Sequence, residues 1–324
     1  MSVTSESPLL NKQTFPLEKF DNYLTTAKGE NRAYVDMPKL DTLWLNTGTL
    51  CNITCENCYI ESSPTNDALV YMTYQEVKTF LDEIRDEDMG TTEIGITGGE
   101  PFMNPDIIPI IEECLSRDFK LVVLTNAMRP MTRHKDDLLA LNEKYHDNLT
   151  IRVSVDHFNP KMHEEERGEG TWVIAIKGLI WLSDNNFDIN IAGRTRWGEE
   201  DEELREGYRK LFKHNNIKID TDDRVELVLF PEMDEVNEVP EITTGCWDIL
   251  DIQPAEIMCS NSRMVVKRKG ADKPAVLACT LLPYDDEFEF ASTLKESSKR
   301  VYLNHQSCAE FCVLGGGSCS VKAD

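Results

Sequence analysis

The sequence predicts an α/β fold built on parallel strands, either an open sheet or one curled toward a barrel. Two observations carry that reading. Short apolar, β-branched runs alternate with helical patterns between residues 42 and 230, the rhythm of a chain that repeats strand, helix, strand. Motifs bearing Cys, Gly, Asn and Asp fall just after those runs. That gathers them on one rim, where the chemistry of such folds sits.

The first strand is read at "TLWLNTG" (42 to 48), followed by the three-cysteine stretch "CNITCENCY" (51 to 59). A helix follows in "TYQEVKTFLDEIRDE", where Val77, Phe80, Leu81 and Ile84 share one face. The second strand, "TEIGIT" (92 to 97), runs into "TGGEPF"; the third, "KLVVLTN" (120 to 126), ends on Asn126. Between them "PDIIPIIEECLSRD" reads as a helix, with Cys114 as a small buried hydrophobe. The fourth strand, "LTIRVSVD" (149 to 156), leads into "SVDHFNP", and the fifth, "FDINIAG" (187 to 193), into "GRTRWGEE". The glutamates around His163 in "HEEERG" read as a solvated loop or helix start rather than the setting of a catalytic base. "WGEEDEELREGYRKLF" reads as a helix with a solvated acidic face, its first-turn carboxylates complementing the helix dipole. The sixth strand is "VELVLF" (225 to 230).

Near residue 235 the composition turns irregular and cysteine-bearing, so the chain divides into an N-terminal extension (1 to 40), a core (41 to 235) and a tail (236 to 324). In the tail, "SRMVVKRKGADKPAVLAC" reads as a β-hairpin. Cys259 stands just before the hairpin and Cys279 closes it; "CAEFC" adds Cys308 and Cys312, and "GGGSC" adds Cys319.

Composition narrows the chemistry. With 58 acidic against 34 basic residues the net charge is −24, a field that repels phosphate backbones and anionic lipid surfaces. Neither nucleic acid nor a membrane is therefore expected as a partner. The N-terminus has no basic segment followed by an apolar run, and nowhere do eighteen apolar residues follow one another; a cytoplasmic protein is expected. Ten cysteines in such a chain point to metal binding or catalysis rather than disulfides.

CxxxCxxC with a following aromatic, "ITGGEPFMNPDI" about forty residues later, and "SVDHFNPKMHEEERGEGTW" together resemble the radical S-adenosylmethionine (SAM) enzyme superfamily over residues 40 to 235. The resemblance implies a partial (β/α)6 parallel barrel with a small cysteine-rich C-terminal extension. It also explains why the cysteines number three. A [4Fe-4S] cluster normally takes four thiolates; with Cys51, Cys55 and Cys58 as the only ligands one iron stays open. In the family SAM chelates that iron and is reductively cleaved to a 5′-deoxyadenosyl radical, which abstracts hydrogen from a substrate. A zinc site at this triad is disfavoured because structural zinc usually takes four ligands at paired spacing.

The same resemblance places Gly98, Gly99, Glu100 and Pro101 at the SAM amino group, with Glu100 accepting from the ammonium. Ser154 and Asp156 become candidates for ribose or carboxylate contacts, with Asn126 beside them. Arg194 would neutralise the SAM carboxylate, Tyr59 would pack by adenine, and Arg167, of the shared Arg-Gly pair, would touch SAM or hold the loop. No further catalytic residue is assigned. The tail resembles the Twitch or SPASM extension of the superfamily, which implies a second, auxiliary [4Fe-4S] cluster on Cys259, Cys279, Cys308 and Cys312. Cys319 is the first substitute ligand and Cys246 the next, and a zinc-stabilised tail is the competing reading. The expected enzyme oxidises or joins bonds in a peptide or small-molecule substrate, fed by a donor such as flavodoxin or ferredoxin. Only about forty residues precede the first strand, so a fused winged-helix leader-binding module is not expected. An iron-sulfur electron-transfer or assembly protein without SAM turnover is the alternative, and the intact SAM-site motifs favour the enzyme.

Overall fold

The computed structural model describes residues 19 to 233 and 238 to 317. Cys319 and the boundary drawn near residue 235 lie outside the described residues. A nine-stranded sheet organises the molecule. In chain order its strands are β2 (Thr42–Asn46), β3 (Glu93–Thr97), β4 (Lys120–Thr125), β5 (Leu149–Ser154), β6 (Asp188–Arg194), β7 (Leu227–Phe230), β8 (Ser262–Val266), β9 (Ala275–Leu277) and β10 (Glu289–Ala291). The spatial order is β10-β9-β8-β2-β3-β4-β5-β6-β7. From β2 to β7 every pairing is parallel between sequence neighbours, the predicted six-stranded half barrel. Strands β1 (Tyr34–Val35) and β11 (Val301–Tyr302) form a separate antiparallel pair.

The helices form where apolar spacing and end signals agree. Helix α1 (Tyr74–Asp86) starts at a reciprocal cap: Thr73 Oγ1 accepts from the Glu76 backbone N–H at 3.3 Å, and Glu76 Oε2 accepts from the Thr73 N–H at 2.9 Å. It buries Val77, Phe80, Leu81 and Ile84 as the spacing requires. Helix α2 (Ile107–Ser116) buries Cys114. Two helices, α3 (Arg129–Thr132) and α4 (Lys135–Tyr145), follow β4. Helix α5 (Pro160–Arg167) starts with proline at its first turn and stops at Gly168, whose φ of +97° suits glycine. Helices α6 (Thr171–Asp184) and α7 (Asp201–His214) cover β5 to β7; the acidic α7 buries Leu204, Tyr208 and Phe212 and leaves its other face to solvent.

Two readings of the sequence change. The glutamate run on α5 is not wholly solvated, because His163 and Glu166 are 0% and 1% exposed. The tail hairpin, correctly placed as β8 and β9, pairs through β8 in parallel with β2 and so continues the core sheet. A second apolar cluster joins Ala192, Val228 and Phe230 of the barrel to Leu281, Leu282 and Phe311 of the tail. Among the described residues no helix is long and apolar enough to cross a membrane.

Candidate functional site

The cysteine loop is positioned by main-chain bonds to the next strand's end. Thr47 N–H donates to the Thr97 carbonyl at 2.8 Å, Gly99 N–H to Gly48 O at 2.7 Å and Glu100 N–H to Leu50 O at 3.1 Å. Residues 47 to 50 are thereby strapped under "TGGEP" just before Cys51. The strap leaves no room for a side chain: a Cβ on Gly99 would stand 2.2 Å from the Leu50 carbonyl oxygen. Gly99→Ala is expected to displace this loop and destabilise the protein by about 1 to 3 kcal/mol. A urea melt checks it, and a wild-type midpoint would show the strap to be dispensable.

Beyond the strap, Cys51 N–H donates to Ser63 O at 3.0 Å, and the Cys58 thiol accepts from Ser62 N–H at 3.3 Å. Cys51, Cys55 and Cys58 line one cavity together with Tyr59, Gly98, Gly99, Pro101, Asn126, Ser154, Asp156, Arg167 and Arg194. Desolvation pushes Cys51 up to about 11 and Cys55 up to about 12, and the neighbouring thiols add to both shifts. Unligated, these thiols stay protonated at neutral pH; a metal centre would deprotonate them and supply the missing positive charge. Among the described residues no three His, Cys, Asp or Glu side chains could hold a single metal ion. A four-iron cluster makes no such demand, since each thiolate takes its own iron.

Of the residues expected at SAM, Glu100 is placed differently. Its carboxylate turns inward at 1% exposure, accepting from Thr125 Oγ1 (2.9 Å), Asn126 N–H (2.9 Å) and Phe102 N–H (3.2 Å). Burial pushes it up to about 7 against those three donors. It therefore ties the loop after β3 to the end of β4 instead of facing the cavity. Asn126 bridges to the cysteine loop: its Nδ2 donates to Asn52 Oδ1 at 2.9 Å and lies 3.9 Å from the Cys51 sulfur.

Asp156, just past β5, is 3% exposed and held by Arg167, whose Nε and Nη2 donate to its two oxygens at 2.5 and 3.0 Å. Arg194 Nε stands 3.9 Å from Oδ1, the oxygen that also accepts from Arg167 Nη2. Burial works to raise the Asp156 carboxyl, but Arg167 and then Arg194 outweigh it and hold it below the ordinary carboxylate value. The Arg-Gly pair thus has a local cause, since Arg167 closes α5 onto Asp156 and Gly168 ends the helix. Arg194 also has partners: Glu232 at 3.0 Å, the Asn57 carbonyl at 2.7 Å, and the face of Tyr59 at 4.4 Å. Ser154 remains half-buried at the cavity wall.

Several residues of the site went unmarked in the sequence. Buried Glu166 accepts from Asn57 N–H (2.9 Å), Asn57 Nδ2 (3.1 Å) and Arg196 (2.5 Å), pinning the cysteine loop to α5. Its only signal was its place immediately before the Arg-Gly pair. The opposite wall is Phe230, Thr280, Leu281 and Phe311. Phe311 meets Tyr59 edge-on at 5.5 Å and stacks on Phe230 at 5.8 Å. It lies in a wide π-helical turn, Cys308–Leu314, between Cys308 and Cys312.

The tail cysteines gather beneath this wall. Cys259 and Cys308 are buried in the apolar cluster of Phe230 and Phe311, with Cys246, Cys279 and Cys312 packed against it. Burial pushes Cys308 well up, and the thiols of Cys279 and Cys259 push it further. Cys246 is otherwise engaged, accepting from Thr243 N–H at 3.3 Å.

Behind the site, His163 packs against Trp172 with both ring nitrogens unpartnered, and desolvation lowers it to about 4. Free histidine titrates near 6.5, so the unfolded chain gains a proton that the folded chain refuses until pH 4. Stability is expected to fall by about 3 kcal/mol as pH drops from about 6.5 to 4, and to level below that. Comparing acid denaturation of the parent and His163→Phe isolates this effect; equal pH slopes would refute it.

Known proteins are similar to this chain in sequence and in fold. The antilisterial bacteriocin subtilosin biosynthesis protein AlbA of Bacillus subtilis is 29% identical over 215 residues, covering 64% of this chain and 45% of AlbA. The mycofactocin maturase MftC of Mycolicibacterium smegmatis is 28% identical over 137 residues, covering 42% of this chain and 33% of MftC. The chain thus spans less than half the length of either relative. SuiB of Streptococcus suis bound to S-adenosylmethionine superposes with a TM-score of 0.55 at 14% identity, covering 78% of this chain and 63% of SuiB. The AdoMet-bound anSMEcpe superposes at 0.57 and 15% identity, covering 85% and 80% of the two chains. The profile of the Radical SAM superfamily matches residues 45–207, half of the chain and the stretch that carries the three cysteines, the glycine strap and the Asp156–Arg167 pair; the protein belongs to this superfamily of enzymes, which use a [4Fe-4S] cluster and SAM.

Proposed function

We propose that this enzyme modifies a peptide by SAM-dependent radical chemistry, oxidising it or joining two of its atoms. Cys51, Cys55 and Cys58 hold the SAM-binding cluster, and Cys259, Cys279, Cys308 and Cys312 hold an auxiliary one. When bound, the first cluster would pass one electron, from a flavodoxin- or ferredoxin-like donor, to SAM and so supply the radical chemistry by which the substrate would lose a hydrogen atom. This chain's residues bind and shield. Gly98 and Gly99 hold the cysteine loop, Asn126 and Glu166 brace it from two sides, and Asp156 with Arg167 fixes the loop after β5 at the cavity wall.

The carrying observation is the composition of the cavity. Its polar side holds the three thiols and the strand ends, while its other side is the apolar wall of Phe230, Leu281 and Phe311 contributed partly by the tail. Such a wall accepts a side chain and excludes water. The cations lining the cavity, Arg167 and Arg194, are already engaged by Asp156 and Glu232. Among the described residues a nucleoside triphosphate would find no uncommitted cation lining the cavity, although GTP 3′,8-cyclases are among the curated relatives. The names of AlbA and of the SuiB structure bound to its precursor peptide SuiA agree with a peptide substrate.

The test is anaerobic reconstitution with dithionite and SAM, alone and with the short peptide encoded nearest the gene. SAM should yield 5′-deoxyadenosine, and the peptide should lose hydrogen mass. Cleavage of SAM with no change in the peptide would remove the peptide reading. Iron bound without any cleavage would instead favour an electron-transfer or assembly protein.

A further inference from the structure

Three of the buried arginines have carboxylate partners. Arg32 is paired with Glu241, Arg205 with Asp201 and Arg194 with Glu232. Arg263, on β8, is 1% exposed and has no carboxylate partner among the described residues. Its guanidinium donates to four main-chain carbonyls: Cys259 at 2.8 Å, Ser262 at 2.7 Å, Ser297 at 3.0 Å and Lys299 at 2.9 Å. One face covers the Phe290 ring at 5.6 Å. An arginine guanidinium is cationic at neutral pH.

A buried cation whose nitrogens are all hydrogen-bonded but which lacks a counter-charge is costly. The carbonyls orient the guanidinium without neutralising it. Cys259 is one of the tail thiols, and Cys259 and Cys308 are buried in one apolar cluster with Cys279 packed against it. An iron-sulfur centre on these thiolates would be the missing anion.

We propose that Arg263 is the fixed counter-charge of the tail's anionic iron-sulfur centre and raises its reduction potential. The inference rests on the auxiliary-cluster reading above. One-electron reduction adds negative charge to the centre, and a nearby buried cation favours the reduced form. Arg263 is a positioning residue here, since it acts through the centre and touches no substrate. A raised potential would suit a centre that accepts an electron from a substrate radical.

The test uses the full chain with Cys51, Cys55 and Cys58 all changed to Ala, so that only the tail can hold a cluster. Midpoint potentials are measured by EPR-monitored redox titration with Arg263 intact, in Arg263→Met and in Arg263→Lys. The methionine variant should show at least a tenfold fall in the reduced-to-oxidised ratio at fixed potential, a shift of about 59 mV or more to lower potential for a one-electron couple. The lysine variant, which keeps the charge, should stay well inside that shift. Iron lost from Arg263→Met but kept in Arg263→Lys would also support the charge role. Unchanged potentials in both, or equal loss of iron from both, would overturn it and leave Arg263 as a clamp for four carbonyls. If no iron is found with Arg263 intact, the auxiliary-cluster reading fails first and this inference falls with it.

Discussion

Replacing Cys55 with alanine is expected to reduce SAM cleavage to the level of protein-free controls while the tail keeps its iron. Reconstituted parent protein should hold about eight irons as two four-iron clusters, and the variant about four. Cys55 tests the assignment sharply because its thiol is desolvated inside the cavity, where a pKa near 12 leaves it protonated and inert unless a metal centre claims it. Removing it leaves two thiolates for a centre that needs three. The measurements are 5′-deoxyadenosine released per protein and iron by colorimetry. A fall to zero iron would mean that the fold had been lost, whereas retained cleavage with about eight irons would remove Cys55 from the ligand set.

What the sequence made legible was whatever depends on local pattern. The parallel strands β2 to β7 were readable because each is a short apolar run between turn signals, and α1 because Val77, Phe80, Leu81 and Ile84 keep helical spacing. The cysteine and glycine motifs could be placed on one rim because a parallel sheet puts equivalent strand ends together. Contacts between distant segments were not legible. Nothing local marks β8 as the parallel partner of β2, about two hundred residues earlier. Phe311 reaches the cavity because a turn in the tail packs on β7, so its role depends on tertiary packing rather than on the spacing of "CAEFC". Glu100 and Glu166 illustrate a second limit: the family resemblance implied a ligand contact for one and the run of glutamates suggested a solvated face for the other, and neither signal showed that both are buried as acceptors of several donors. A carboxylate's role follows from which N–H groups the fold aims at it, and these come from residues 26 and 109 positions away.

Asp156→Ala is expected to cost about 3 to 5 kcal/mol of stability, because it strands Arg167 as a buried charge without its bidentate partner. The pair is nearly closed to solvent, with side-chain exposures of 14% for Arg167 and 4% for Asp156. Surface screening therefore does not apply. Arg194, at 3.9 Å, would also lose its link to Asp156, although it keeps Glu232. The double change Asp156→Ala with Arg167→Met removes both charges and should be milder than the single one, with a coupling of roughly 1 to 3 kcal/mol in a double-mutant cycle. Urea denaturation of the four proteins measures it, and simple additivity would mean that the ion pair does not hold this loop. SAM affinity separates positioning from direct contact. If Asp156 works by fixing the loop after β5, affinity should recover in the double variant together with stability. If its carboxylate touches SAM, affinity should stay lost even in the restabilised protein, since no rearrangement of apolar side chains can replace an acceptor for the ribose hydroxyls.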